Sequence, residues 1–330
     1  MIAWHRFYVW CQPTRRTCVT LQQRTGMRHD PEDLPWQTKL AYLATNAVAR
    51  ACIGTALTLP YRWRVPFMGW IMARIVGPAA GFRKRAAEHV AYVMPDLAAS
   101  EDDRIARESL NNTGRTLIEN YSTRALLARQ KDAPIGGPGL AALETASAAG
   151  RPVILVTGHF GNYEALRASL VGRGYDVGGL YRDMANPYFN AHYVRTMQAF
   201  GGPVFPQGRK GTAGFVRHLK AGGQLVLLFD QHVQRAPILD FLGHPARTAV
   251  SAAELALRYD ALLIPFYGIR QKDGLGFDCI MEDPVPHSDP ETMTQALNDS
   301  ISARIRAQPE QWLWVARRWR TDEPYPETVT

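Results

Sequence analysis

RPVILVTGHFGNYEALRASL, residues 151–170, runs from an apolar stretch through Gly-His-Phe-Gly-Asn into a helix-forming tail. The apolar run reads as a buried strand, and His159 sits at its tip. Glu164 follows five residues later. Five residues along one helix rotate about 500° and leave two side chains about 140° apart, so the pair cannot meet within a helix. They can meet if His159 lies in the strand-to-helix turn and Glu164 in the first helical turn. Gly158 and Gly161 supply tight backbone, and Asn162 is placed as an N-cap. On this reading His159 takes a proton, and Glu164 accepts the far ring N–H and fixes the tautomer. The helix N-terminus adds positive dipole near developing negative charge. The two are expected side by side next to an apolar groove. Spacing alone decides nothing, because 9 His and 30 acids give about one His-x4-acid pair by chance. A strand-end His bonded to backbone would look the same. Placement at the carboxyl edge of a parallel sheet favours a site, since ligands bind there.

Outward from this unit the chain repeats its texture. DVGGLY, QLVLLFD, LLIPFYGIR and GFDCIME read as strands, with a short PVFP. Helical segments of ten or so residues separate them. Alternation of this kind predicts an α/β fold with a largely parallel sheet covered on both faces. Residues 36–131 read as helical. There SEDDRIARESL places Ser100 as an N-cap with Asp103 three residues on. DAPIGGPG then breaks the pattern. The expected organisation is an N-terminal extension over 1–35, a helical membrane-associating region over 36–131, and an α/β core over 132–330, the last two forming one unit.

Net charge is +8, and its placement matters more than its size. From Trp36 to Ala87 there is no Asp or Glu, against eight basic residues: Lys39, Arg50, Arg62, Arg64, Arg74, Arg83, Lys84 and Arg85. Aromatic and aliphatic residues run through the same span. That mixture suits an anionic membrane surface. Nucleic acid also attracts cations and aromatics, but the long aliphatic runs favour lipid. A core helical hairpin with a solvated basic rim would have the same composition. Residues 40–59 form the best single span, yet Asn46 and Arg50 are costly at a bilayer centre, so an interfacial or shallow helix is expected. The first 26 residues lack a clean apolar h-region, and Met27 is an alternative start. Cys11, Cys18, Cys52 and Cys279 form no Cys-x-x-Cys or zinc pattern, which implies reduced thiols and a cytoplasmic setting.

GHFGNYE closely resembles the His-x4-acid block of the bacterial lipid A biosynthesis acyltransferases, the lauroyl/myristoyl transferase family, with Tyr163 where Trp is usual. YRDMANPYFNAHYVR, LVLLFDQ, DFLGHPARTAVSAAELALRYDALLIPFYGIR and PEQWLWVARRWR resemble further blocks in family order. The resemblance covers about residues 36–321. Ala316 stands where relatives often place His, so no role of that His transfers. The resemblance implies transfer of an acyl chain from acyl carrier protein to a lipid A precursor hydroxyl, at the cytoplasmic face of the inner membrane, without a cofactor or metal. His159 and Glu164 would be catalytic. No Ser or Cys lies in the motif and Thr157 has no family role, so direct transfer is preferred over an acyl-enzyme. Another glycolipid acceptor, with acyl-CoA as donor, is the alternative; a non-catalytic anionic-lipid binder is a second.

Four further residues are expected to bind substrate. Arg182 ends a strand, where a guanidinium can clamp a phosphate; a surface pair with Asp183 is the plain alternative. Arg195 is similar, on a helix. Asp230 ends the run LVLLF and is given an orienting or binding role, shared by Gln231. Trp312, Trp314 and Trp319 alternate with Arg317, Arg318 and Arg320. They suit a lipid site or the headgroup level, with at least one in the core. His159, Glu164, Asp230 and His232 are ligand types, but their spacing matches no zinc signature.

Overall fold

A computed structural model describes residues 34–319. The extension before residue 34, Met27 and Arg320 lie outside it. The N-terminal half is helical: α1 (Trp36–Thr58), α2 (Tyr61–Ile71), a π-helical turn (Met72–Val76), α3 (Phe82–Val93), α4 (Ala99–Tyr121) and α5 (Thr123–Gln130). Then come β1 (Ile135–Gly136), α6 (Gly139–Ala148), β2 (Val153–Thr157), α7 (Tyr163–Gly172), β3 (Val177–Tyr181), α8 (Pro187–Gln198), β4 (Val204–Pro206), α9 (Arg209–Lys220) and β5 (Gln224–Leu228). A two-stranded hairpin, β6 (Ile238–Phe241) and β7 (His244–Arg247), precedes α10 (Ser251–Tyr259), β8 (Leu262–Arg270), β9 (Phe277–Met281) and α11 (Pro290–Ala307).

The main sheet has the order β1-β9-β8-β2-β5-β3-β4, and β8–β9 is its one antiparallel pairing. The expected largely parallel sheet is therefore present. β2 lies between β8 and β5, and all five of its residues are buried. Alternate residues serve opposite faces. Ile154 and Val156 join a core with α3, α4, α10 and α11, whereas Val153 and Leu155 join one with α6 and α7. A strand buried on both faces must be apolar throughout, and VILVT is.

Two readings are corrected. Ser100 does not cap α4. The helix begins at Ala99 without a side-chain cap, and Asp103 instead accepts from Arg83 Nε at 2.6 Å. The carboxylate found a cation on α3 rather than its own backbone. DAPIGGPG does break the helical pattern, and it also contains β1, whose two residues pair with Cys279 and Ile280 of β9. Trp312, Trp314 and Trp319 are all buried, so none sits at a headgroup level. Cys52 and Cys279 are free thiols.

Candidate active site

β2 and β5 run parallel in a register that pairs Val153 with Gln224 and Thr157 with Leu228. The same offset, carried past both strand ends, sets His159 level with Asp230. The His159 imidazole Nδ1–H donates to Asp230 Oδ1 at 2.7 Å. Asp230 Oδ2 accepts from the His159 backbone N–H at 2.6 Å and from the Trp312 indole at 2.9 Å. Three N–H donors thus hold a carboxylate that is 1% exposed. Gly158 makes the approach possible. A Cβ there would lie 2.7 Å from Asp230 Oδ2 and 2.1 Å from Ile301 Cδ1.

With Nδ1 bearing the proton, Nε2 is left as the acceptor. The Gln231 side-chain amide donates to it at 3.3 Å. Burial pushes the imidazole below its ordinary value of 6.5, against the pull of Asp230, so the ring is neutral at pH 7. Burial alone would raise the Asp230 carboxyl; the His159 imidazole and backbone and the Trp312 indole hold it below the usual carboxylate range.

Glu164 is elsewhere. The pairing of Glu164 with His159 expected from the sequence is replaced by Asp230. Asn162 does cap α7, its Oδ1 accepting from Glu164 N at 3.0 Å. From the first turn the Glu164 carboxylate turns to Arg167, 3.1 Å away, on the same helix. Arg167 in turn donates to Val177 O and Gly201 O, which ties α7 to the β3 side. Asn162 Nδ2 donates to Glu119 Oε2 at 2.9 Å. Glu119 is fully buried and takes Arg270 Nη1 at 2.5 Å and Nη2 at 2.7 Å. The C-terminal segment flanks the motif: Gly161 N donates to Gln311 O and Leu313 N to His159 O.

His159, at 9% side-chain exposure, lines a cleft. The cleft encloses ≈ 810 Å³ of non-atom space with its open mouth included. Leu117, Met184, Met197 and Leu313 give it an apolar wall; Asn120 and Tyr163 give it a polar one. The Tyr163 and His159 rings meet edge to face with centroids 5.9 Å apart. Thr157 is fully buried and does not line the cleft. Arg182 and Arg195 are exposed and lie outside the cleft lining. Asp183 Oδ1 accepts from Asn190 Nδ2 at 2.9 Å. Sequence reasoning missed Trp312 as a donor to Asp230, and it missed the partnership of the two strand tips. The available signal was a second apolar strand ending in an acid.

The family described as "Bacterial lipid A biosynthesis acyltransferase" matches residues 37–321. The phosphatidylinositol mannoside acyltransferase of Mycobacterium tuberculosis (strain CDC 1551 / Oshkosh) is 25% identical over 295 residues, 87% of this chain and 89% of its own. A lipid A biosynthesis acyltransferase of Haemophilus influenzae is 23% identical over 268 residues, 80% of this chain and 83% of its own. The lipid A biosynthesis lauroyltransferase of Escherichia coli (strain K12) is 25% identical over 298 residues, 81% and 94%. The protein is an acyltransferase of the lipid A and glycolipid type. It belongs to the bacterial lipid A biosynthesis acyltransferase family, whose match spans nearly all the described residues.

Proposed function

We propose that the protein transfers a fatty acyl chain from acyl carrier protein to a hydroxyl of a lipid A precursor, at the cytoplasmic face of the inner membrane. The observation that carries the chemistry is the His159 imidazole, bonded through Nδ1 to Asp230 and lining an apolar-walled cleft. The acceptor hydroxyl displaces Gln231 and donates to Nε2. Its oxygen attacks the thioester carbonyl, and its proton passes to Nε2. Asp230 stabilises the imidazolium that forms. As the tetrahedral species collapses, the C–O bond remains and the C–S bond breaks. The imidazolium returns its proton to the leaving sulfur. Glu164 acts through Arg167, fixing the first turn of α7 behind the motif.

Arg182 and Arg195 are assigned to anionic headgroup groups. Burial first, then Arg50 and Arg195, lower the His192 imidazole, so both guanidiniums lie within electrostatic range of that ring where α1 meets α8. The likeness to phosphatidylinositol mannoside acyltransferases keeps a second reading open: the acceptor is another phosphorylated glycolipid and the donor is acyl-CoA.

The test is direct. Purified full-length protein is given acyl carrier protein thioesters or acyl-CoA of varied chain length, with either a tetraacylated, phosphorylated glucosamine disaccharide or a phosphatidylinositol mannoside. Mass spectrometry of the lipid is expected to show one added acyl chain on the disaccharide. Addition to the mannoside alone selects the second reading, and addition to neither rejects both.

A further inference from the structure

PEQWLWVARRWR carries two adjacent arginines with opposite fates. Arg317 is exposed, whereas Arg318 is 0% exposed. Taking a guanidinium out of water is costly unless hydrogen bonds and a counter-charge compensate. The hydrogen bonds of Arg318 go to neutral groups. Nη1 donates to Arg247 O at 2.7 Å and Nη2 to Thr248 Oγ1. Nε is buried without a partner among the described residues. The carboxylate whose charge acts on this guanidinium is Asp230. Burial brings Arg318 down to about 10 while Asp230 pulls it up, so it stays a cation at neutral pH.

Two physical links join Arg318 to Asp230. One is an aromatic layer. The guanidinium carbon lies 4.5 Å from the centre of the Phe241 ring, at the end of β6. The Phe241 and Trp312 centroids are 5.5 Å apart, and the Trp312 indole donates to Asp230 Oδ2. The other link is backbone. Thr248, which takes Nη2, forms an antiparallel bridge with His232, two residues past Asp230. The guanidinium therefore braces the segment that carries Asp230 and Gln231. Against burial, His159 and Trp312 lower the Asp230 carboxyl directly, and Arg318 stands behind them. From this geometry we infer that Arg318 is a positioning residue for acyl transfer. Its buried charge holds Asp230 ionised across the Phe241–Trp312 layer, and its hydrogen bonds hold the bridge that sets Asp230 against His159. The other ionisable groups around the pair do not duplicate that charge. On β8 the Tyr267 phenol is bonded to Ser300 Oγ, and burial keeps it protonated. Burial keeps the Tyr163 phenol of α7 protonated too. Arg304 of α11 is taken by Glu282, and Arg247 of β7 donates to Ala236 O. His232, half-buried at the bridge, carries charge only when protonated.

This inference rests on the acyl-transfer reading, and the test separates the two. Full-length wild type is compared with Arg318→Gln, which keeps an N–H donor without the charge, and with Arg318→Lys, which keeps the charge. The assay uses whichever thioester, of acyl carrier protein or CoA, and whichever acceptor, disaccharide or mannoside, the wild type turns over. The quantity read is the position of the acid limb of kcat/KM. Without the cation the His159–Asp230 pair takes up a proton more readily. Arg318→Gln is therefore expected to move the limb up by roughly one pH unit, the low end of what one nearby charge does. Arg318→Lys is expected to return it towards wild type. A limb that stays in place in Arg318→Gln, whatever the loss of rate, makes Arg318 a packing residue and overturns the inference. A limb that moves equally in both variants overturns it as well. Should Arg318→Gln not fold, adding Asp230→Asn decides, because the double variant leaves neither charge buried alone. A restored cooperative unfolding transition in urea supports the charge pair, and failure to restore it overturns the pair. A wild-type protein that acylates neither acceptor from either thioester overturns the acyl-transfer reading, and the role of Arg318 falls with it.

Discussion

His159 and Asp230 divide the work of one proton transfer. Replacing His159 with Ala is expected to lower kcat about 10²–10⁴-fold while lipid binding persists, the range for a positioned base. Vesicle co-sedimentation alongside a turnover assay checks both halves; a variant that keeps turnover removes His159 from the chemistry. Asp230→Asn tests the partner. The amide can present an N–H to Nδ1 and favour the wrong tautomer, so a similar loss is expected. Glu164→Gln is expected to cost stability through Arg167 and to leave the pH profile in place. The acid limb of kcat/KM has a determined sign. The folded pKa of His159 lies below 6.5, so the rate is level through neutrality and falls as pH drops through that lower value. Folding stability linked to this ring has the same sign, being complete above 6.5 and lost as pH falls. Asp230 raises the His159 value, so in Asp230→Asn the residual acid limb moves to still lower pH. A limb centred above 6.5 contradicts this assignment.

The motif turn hangs on an element-level bond, the buried pair of Glu119 on α4 with Arg270 at the end of β8. Glu119 also anchors Asn162, the cap of α7. Glu119→Ala is expected to cost about 3–5 kcal/mol, because Arg270 stays buried without its counter-charge. Urea unfolding measures it, and replacing both partners with apolar residues is expected to recover much of the loss. An effect below about 1 kcal/mol, the scale of a solvated pair, would contradict the burial argument. Elements like these were largely legible in the sequence. VILVT, QLVLLFD and LLIPFYGIR are strands because nothing polar interrupts them, and Asn162 caps where an Asn should. Pairing was not legible. The sequence puts Glu164 five residues from His159 and Asp230 seventy-one away, but sheet register brings the distant acid to the imidazole. Helical direction turns the near one towards Arg167. β1 was hidden because two residues in a glycine-rich stretch carry no period. Trp312 was hidden because a tryptophan's indole donor cannot be told from its packing role by composition.

At the scale of the whole molecule, α1 and α2 present an apolar surface that the described residues leave uncovered. α1 is long and apolar enough to cross a membrane, and little of it is buried. It is not adrift: the Asn186 amide at the start of α8 donates to Tyr42 O and Thr45 Oγ1. In α2, Val65 and Met68 face the core while Trp63, Phe67 and Trp70, at spacings of four and three, are exposed. A helix apolar on both faces suits lipid on the outer one. Arg62 and Arg74 flank that stripe and are exposed, and Arg62 stacks on the Trp63 ring at 5.3 Å. Apolar insertion and charge attraction then contribute separately. Trp63→Ser with Trp70→Ser is expected to weaken binding to neutral and anionic vesicles alike. Arg62→Gln with Arg74→Gln is expected to weaken only anionic binding, by about 1 kcal/mol per cation at low salt, with the difference shrinking as salt screens it. Flotation with phosphatidylcholine vesicles, with and without phosphatidylglycerol, distinguishes the terms. Equal losses on both vesicle types in the arginine variant would mean that the charge of this surface serves some partner other than the bilayer.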